Sequence, residues 1–141
     1  MRLCDVFIIL DDVQLQWRGY TRRTKIAKPG FSDRLQWFTL PLDTADTLSI
    51  INRIDLKNPA VGQHKALKQL TDSYRQYPFF EETFELAKEW ILLSEKNLGS
   101  FNMYGIRRLM DILHLNTPIR LSSETQVLTI DSTRSADLMK K

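Results

Sequence analysis

Apolar and polar positions divide the chain into stretches of different period. Five apolar residues in a row, Val6 to Leu10, run into the polar pair Asp11-Asp12. A short apolar run, rich in β-branched and aromatic residues and closed by polar ones, predicts a buried strand over Cys4–Asp11. Pro29-Gly30 punctuates a turn. A second strand is expected over Leu35–Leu42, with Pro41 marking its edge or exit. The pattern weakens over Asp43–Pro59, which is read as irregular with a short extended piece around Ile50–Leu56. Helical spacing then takes over. His64, Leu67, Leu70, Tyr74 and Tyr77 form one stripe and predict a helix over Val61–Tyr77. Phe80, Phe84, Ala87 and Ile91 predict a second over Phe80–Asn97, with Glu81 and Glu82 in its first turn and Gly99 past its end. Ser100 is the expected N-cap of a third helix, Phe101–Leu115, whose inner face is expected to be Ile106, Leu109, Met110 and Leu113. Asn116-Thr117-Pro118 stops it, Ile119–Leu121 reads as a short buried strand opening onto Ser122-Ser123, and a last helix is expected from near Ser132 to Lys141. The order of elements implies an α/β fold: a short, mostly buried sheet flanked by three to four helices, an incomplete Rossmann-like three-layer arrangement in one domain.

Composition narrows the class. The chain has 141 residues, 43% apolar and 26% charged, ordinary values for a globular protein with a core. Its longest wholly apolar run falls far short of the ~20 residues that a membrane-spanning helix needs. No basic n-region followed by an apolar h-region is seen in the first residues, so no secretory signal is expected, and the single Cys4 fits a reducing, cytoplasmic setting. A lone cysteine without a motif reads as a small buried packing residue. Charge is unevenly placed. Residues 18 to 34 carry six basic side chains against Asp33 alone, while Glu81–Glu95 is acidic. This asymmetry suggests a local anion site near the first loop.

The candidate chemistry collects where the first strand ends. Ligands of open α/β sheets bind beyond the carboxyl ends of the strands. Asp11 or Asp12 is a candidate general base, or a holder of a substrate amine or hydroxyl. The alternative is that they cap the following turn. Successive strand residues point to opposite faces, so one of the pair is expected to face the site. Arg18 and Arg23 are candidates for gripping a phosphate or carboxylate, and Gln14 and Tyr20 for orienting a substrate. His64, near a helix N-terminus that favours neutral imidazole, is a candidate base; His114 reads as structural. No His or Cys stands at ligand spacing beside the aspartates, so no metal site is expected. Ser122-Ser123 lacks a nucleophile elbow, and neither a Walker A loop nor a dinucleotide fingerprint is present. The sequence leaves the cofactor unknown.

The run DVFIILDDVQ, the R-G-Y step that follows it, and Arg23 and Ile26 resemble the opening core of WbqC-like proteins, in which a strand ending in D-D-V-Q precedes an R-G-aromatic step and an N-R-N-R-I segment. The similarity continues through WFTLPLD, QHKALKQLTDSYRQYPFFEETF and LGSFNMYGIRRLMDILHLNTPIRLSS. Family members open with a Q-P-x-Y-x-P-W-x-G-Y-F segment and continue past the last helix. The resemblance therefore implies that this chain corresponds to the middle of a family member. Leu15, Trp17, Arg22 and Thr24 depart from the family pattern. The resemblance implies an α/β enzyme-type protein of surface polysaccharide, O-antigen or secondary-product biosynthesis. Its ligand would be an anionic, nucleotide- or carrier-linked metabolite, and acyl or aminoacyl transfer to an amine is the working guess. Two other readings stand beside it: a nucleic-acid-binding module using the basic-aromatic residues 17–28, and an inactive fragment that associates through exposed sheet edges.

Overall fold

The first strand meets its partner across nearly the whole chain. In the structure, a computed structural model that describes residues 4–31, 33–43 and 48–125, β1 (Phe7–Ile9) pairs in parallel with β4 (Ile119–Leu121). The register is Phe7 with Ile119 and Ile9 with Leu121. Between them lie an antiparallel hairpin, β2 (Arg23–Ala27) and β3 (Leu35–Thr39), and three helices, α1 (Pro59–Tyr74), α2 (Phe80–Ile91) and α3 (Leu98–Ile112). The α/β class is observed. Its described strands are divided between two two-stranded ladders, because the hairpin leans on α1 and not on β1. No helix among the described residues is long and apolar enough to cross a membrane.

The core is assembled mainly from segments without regular structure. Leu15, Ile54, Leu56, Leu98 and Phe101 form its buried centre, with Trp17, Leu40, Leu42, Ile51 and Trp90 packed around them. Backbone bonds join these pieces. Leu15 N–H donates to Ser49 O, Ile51 N–H to Val13 O and Asn52 N–H to Asp11 O, so residues 11–15 run beside 49–52. On the other side, Leu98 N–H donates to Ile54 O and Leu56 N–H to Lys96 O. The segment around Ile50–Leu56 is therefore the hub of the molecule, with a 3-10 turn at Ile51–Arg53 inside it.

Several boundaries and faces differ from the sequence pattern, each for a physical reason. β1 is three half-buried residues, since β4 pairs with just that span, and Cys4 before it is exposed rather than buried. α1 turns its expected stripe only partly inward: Leu67, Leu70 and Tyr74 are half-buried. Ala66 and Ser73 are its buried residues, while His64 and Tyr77 are exposed. Small side chains let α1 approach β2 closely enough for Ser73 Oγ to donate to Ala27 O at 2.8 Å, and for Ala27 N–H to reach Tyr74 Oη at 3.0 Å. A stripe drawn through the largest apolar residues includes Tyr74 but passes over the buried Ala66 and Ser73. α2 ends at Ile91, because the following residues are drawn into extended pairing with residues 54–56. Asn97, not Ser100, caps α3: its Oδ1 accepts Ser100 N–H at 3.2 Å, which places Gly99 inside the helix.

α3 buries Leu98, Phe101, Met103, Gly105 and Met110. Of its expected inner face, Leu109 and Leu113 are instead exposed, and Ile106 is half-buried. The helix is oriented by Trp90 of α2, whose ring lies 5.6 Å from that of Phe101 and whose Nε1 donates to Phe101 O at 2.9 Å. Trp90 also covers Gly105 so closely that a Cβ there would overlap the indole. The helix expected from Ser132 lies outside the described residues.

Candidate functional site

Parallel pairing places the carboxyl ends of β1 and β4 side by side, and with them Asp11-Asp12 and Ser122-Ser123. Asp11 is 6% exposed, Ser122 is fully buried, and Ser123 reaches solvent. Asp11 Oδ1 accepts the backbone N–H of Ser123 at 3.0 Å and Ser122 Oγ at 3.2 Å. Its Oδ2 accepts Ser123 Oγ at 2.6 Å and Asn52 Nδ2 at 3.2 Å. Asn52 is delivered there by the backbone bond from its own N–H to Asp11 O. Burial by itself would raise the Asp11 pKa. The hydrogen bonds from Ser123 and Asn52 outweigh it, so the carboxyl sits below its ordinary value and is ionised at neutral pH.

Ser122 Oγ also makes a very short hydrogen bond to Asp12 Oδ1. One hydroxyl proton thus faces two carboxylates. The half-buried Asp12 is the more exposed of the pair, in keeping with the opposed directions of successive strand residues.

A cleft of about 860 Å³ opens from this point, between the end of β1, the 3-10 turn and α3. Asp11, Asn52, Tyr20, Asn102, Tyr104 and Arg107 lie on its walls. Asn102 Nδ2 donates to Thr21 O at 2.8 Å and so fastens the basic loop to α3. Tyr104 donates its hydroxyl to Glu89, which also accepts Arg108 Nη2 at 3.1 Å. The shared bond lowers the Glu89 pKa and raises that of Tyr104, so the phenol stays protonated. Arg107 is exposed and forms no ion pair among the described residues.

The residues singled out from sequence are thus partly gathered and partly dispersed. Asp11 and Tyr20 lie on the cleft wall, and Asp12 is joined to Asp11 through the Ser122 hydroxyl just behind it. Arg23 is turned elsewhere: its guanidinium stacks 4.1 Å from the centre of the Trp37 ring, and its Nη2 and Nε donate to Arg18 O and Gly19 O. Arg18 is exposed on the same loop, and Gln14 is paired with Ile50 through the backbone. Neither lines the cleft, nor does His64, exposed on α1. Asn52, Ser122, Ser123 and Arg107 were not singled out as site residues. The serines follow a strand, so parallel pairing with β1 would have pointed to them. Asn52 and Arg107 carry no sequence signal of their own. Among the described residues, no cluster of three or more His, Cys, Asp or Glu side chains could hold a metal ion.

Neither a curated protein nor a solved structure matches the chain. The D-D step that ends β1, the R-G-Y loop and the Ser-Ser step that ends β4 are the motifs by which it resembles WbqC-like proteins. The model of that family spans residues 1–141, and the chain belongs to the WbqC-like protein family.

Proposed function

We propose that the cleft beyond β1 and β4 binds a small polar metabolite carrying an anionic group, and that the protein is a group-transfer enzyme. The observation that carries this reading is the convergence of Asp11, Asp12, Ser122 and Ser123 at the adjacent ends of two parallel strands, with Asp11 on the wall of the cleft. Asp11 accepts hydrogen bonds from Ser123 N–H, Ser123 Oγ and Asn52 Nδ2 and shares the Ser122 hydroxyl with Asp12, which leaves its carboxylate largely engaged. It is therefore a positioning residue that holds Ser123 and Asn52. Ser123 donates to Asp11 and keeps its own oxygen as an acceptor for a substrate N–H or O–H. Asp12 is the proton acceptor, and Arg107 on the opposite wall takes a phosphate or carboxylate. Tyr20 covers the rim.

Acyl or aminoacyl transfer to an amine fits these roles. The new C–N bond forms as the carbonyl carbon separates from its carrier, and the amine proton passes to Asp12. Placement of the reaction in surface polysaccharide or secondary-product synthesis rests on the family resemblance.

The test is a thermal-shift screen of the purified protein against nucleotide sugars, amino sugars and acyl thioesters, followed by turnover assays on the hits. Arg107→Ala should weaken a stabilising anionic ligand by roughly ten- to a hundredfold, as expected for a charge-assisted contact of about 1.5–3 kcal/mol. Asp12→Asn should slow turnover by roughly 10²–10⁴ while leaving that ligand bound. A ligand held equally well by wild type and Arg107→Ala, and turned over equally by Asp12→Asn, would refute the reading.

A further inference from the structure

The hairpin presents a face that the cleft does not use. Register and burial separate its two sides. Ile26, Gln36 and Phe38 turn toward α1, whereas Arg23, Lys25, Leu35 and Trp37 stand on the outer side. Leu35 is 62% exposed and Trp37 is also exposed. At the tip, Gly30 adopts φ 77, a conformation that favours glycine. Phe31 N–H donates to Lys28 O at 3.1 Å, and Lys28 N–H to Arg34 O at 2.9 Å. This turn sets the exposed Phe31 between two cations, Lys28 Nζ at 5.2 Å and Arg34 Cζ at 4.5 Å from the ring centre. Trp37 is flanked in the same way by Arg23 at 4.1 Å and Lys25 at 5.4 Å.

We infer that this outer hairpin face docks on a bilayer surface carrying anionic headgroups, with Phe31, Leu35 and Trp37 at the headgroup–acyl boundary and Lys25, Lys28 and Arg34 on the lipid phosphates. Charge complementarity selects a polyanion: the loop and hairpin hold six cations against Asp33 alone. The apolar side chains select lipid over a single nucleic-acid strand. Bases stack on open aromatic faces, but here cations already lie against the rings, and an exposed leucine offers a base nothing to stack on. Rings and aliphatic groups fringed by Lys and Arg suit the membrane interface, where long cationic side chains reach out to headgroups while apolar parts sink below them. The inference is independent of the reaction in the cleft.

Vesicle co-sedimentation of the full chain tests it, with phosphatidylcholine alone and phosphatidylcholine mixed with phosphatidylglycerol. The chain should pellet with the anionic vesicles only, and added salt should release it. Lys28→Glu with Arg34→Glu should weaken binding at least roughly thirtyfold, from the loss of two surface cations. Phe31→Ser with Leu35→Ser should weaken it roughly tenfold, from lost apolar burial. All four side chains are exposed, and unchanged circular dichroism confirms that the variants fold. Absence of vesicle binding would overturn the inference. So would binding that is indifferent to the serine pair, or a labelled oligonucleotide bound in preference to anionic vesicles.

Discussion

Replacing Asp11 by Asn tests how the two strand ends are held together. The carboxylate accepts three bonds of its own, from Ser123 N–H, Ser123 Oγ and Asn52 Nδ2, and shares the Ser122 hydroxyl with Asp12. An amide keeps one acceptor oxygen. If that oxygen takes the place of Oδ1, the new NH2 points at Asn52 Nδ2, donor against donor, and the short bond from Ser123 must reverse. One to two charge-assisted bonds of roughly 1.5–3 kcal/mol each are lost and part is regained through the serine, leaving a cost of about 2–4 kcal/mol. With a urea m-value of roughly 1–3 kcal/mol per molar, the midpoint of unfolding should fall by about 1 M or more.

The pH dependence has a definite sign. The folded-state pKa of Asp11 is depressed, so its stabilisation is fully present above the ordinary aspartate pKa. It is lost as pH falls through the lower folded-state value. Urea unfolding followed by circular dichroism at neutral pH and through the acid range should show wild type losing an increment of stability that Asp11→Asn lacks. A double-mutant cycle with Ser123→Ala should return a coupling of about 1–2 kcal/mol. An unchanged midpoint, with an acid limb superimposable on that of wild type, would refute the account.

The remaining predictions concern the scaffold. Gly105→Ala should cost about 1–3 kcal/mol by forcing the Trp90 indole off α3; measured by urea unfolding, the cost should shrink in a Trp90→Leu background, where the overlap is gone. Asn97→Ala removes the α3 cap and the donor to Asn52 O, and should cost about 1–2 kcal/mol or more in thermal unfolding, with Asn97→Asp recovering the cap contribution alone. Arg23→Lys gives up planar stacking on Trp37 and the paired bonds to Arg18 O and Gly19 O, and should cost about 0.5–1.5 kcal/mol and alter tryptophan fluorescence.

Local pattern carried the sequence reading a long way where one element decides its own fate. β3 starts at Leu35 as expected, α2 keeps Phe80, Phe84, Ala87 and Ile91 on its inner side, and β4 is Ile119–Leu121. Each follows from period, turn residues and end charges within a short window. The faces of α1 and α3 were less legible, because a neighbour chooses them. Ser73 and Gly105 are buried for being small, and a pattern weighted by apolar size passes over them.

By itself the sequence determined the α/β class, the order of its elements, the excess of cations in the first loop and the pair of aspartates that ends the first strand. Tertiary structure alone decided what those charges do. Arg18 to Arg34 looked like one anion site, but in the folded chain Arg23 is drawn to Trp37 and loop carbonyls, and Lys28 and Arg34 bracket Phe31. Asp11 and Ser123 lie 112 positions apart, and only the parallel pairing of β1 with β4 sets one against the other. The reason is the range of the forces. Periodicity and capping act within a few residues of the chain, whereas hydrogen bonds and cation–ring contacts act within a few ångströms of space, and folding alone makes those two distances coincide.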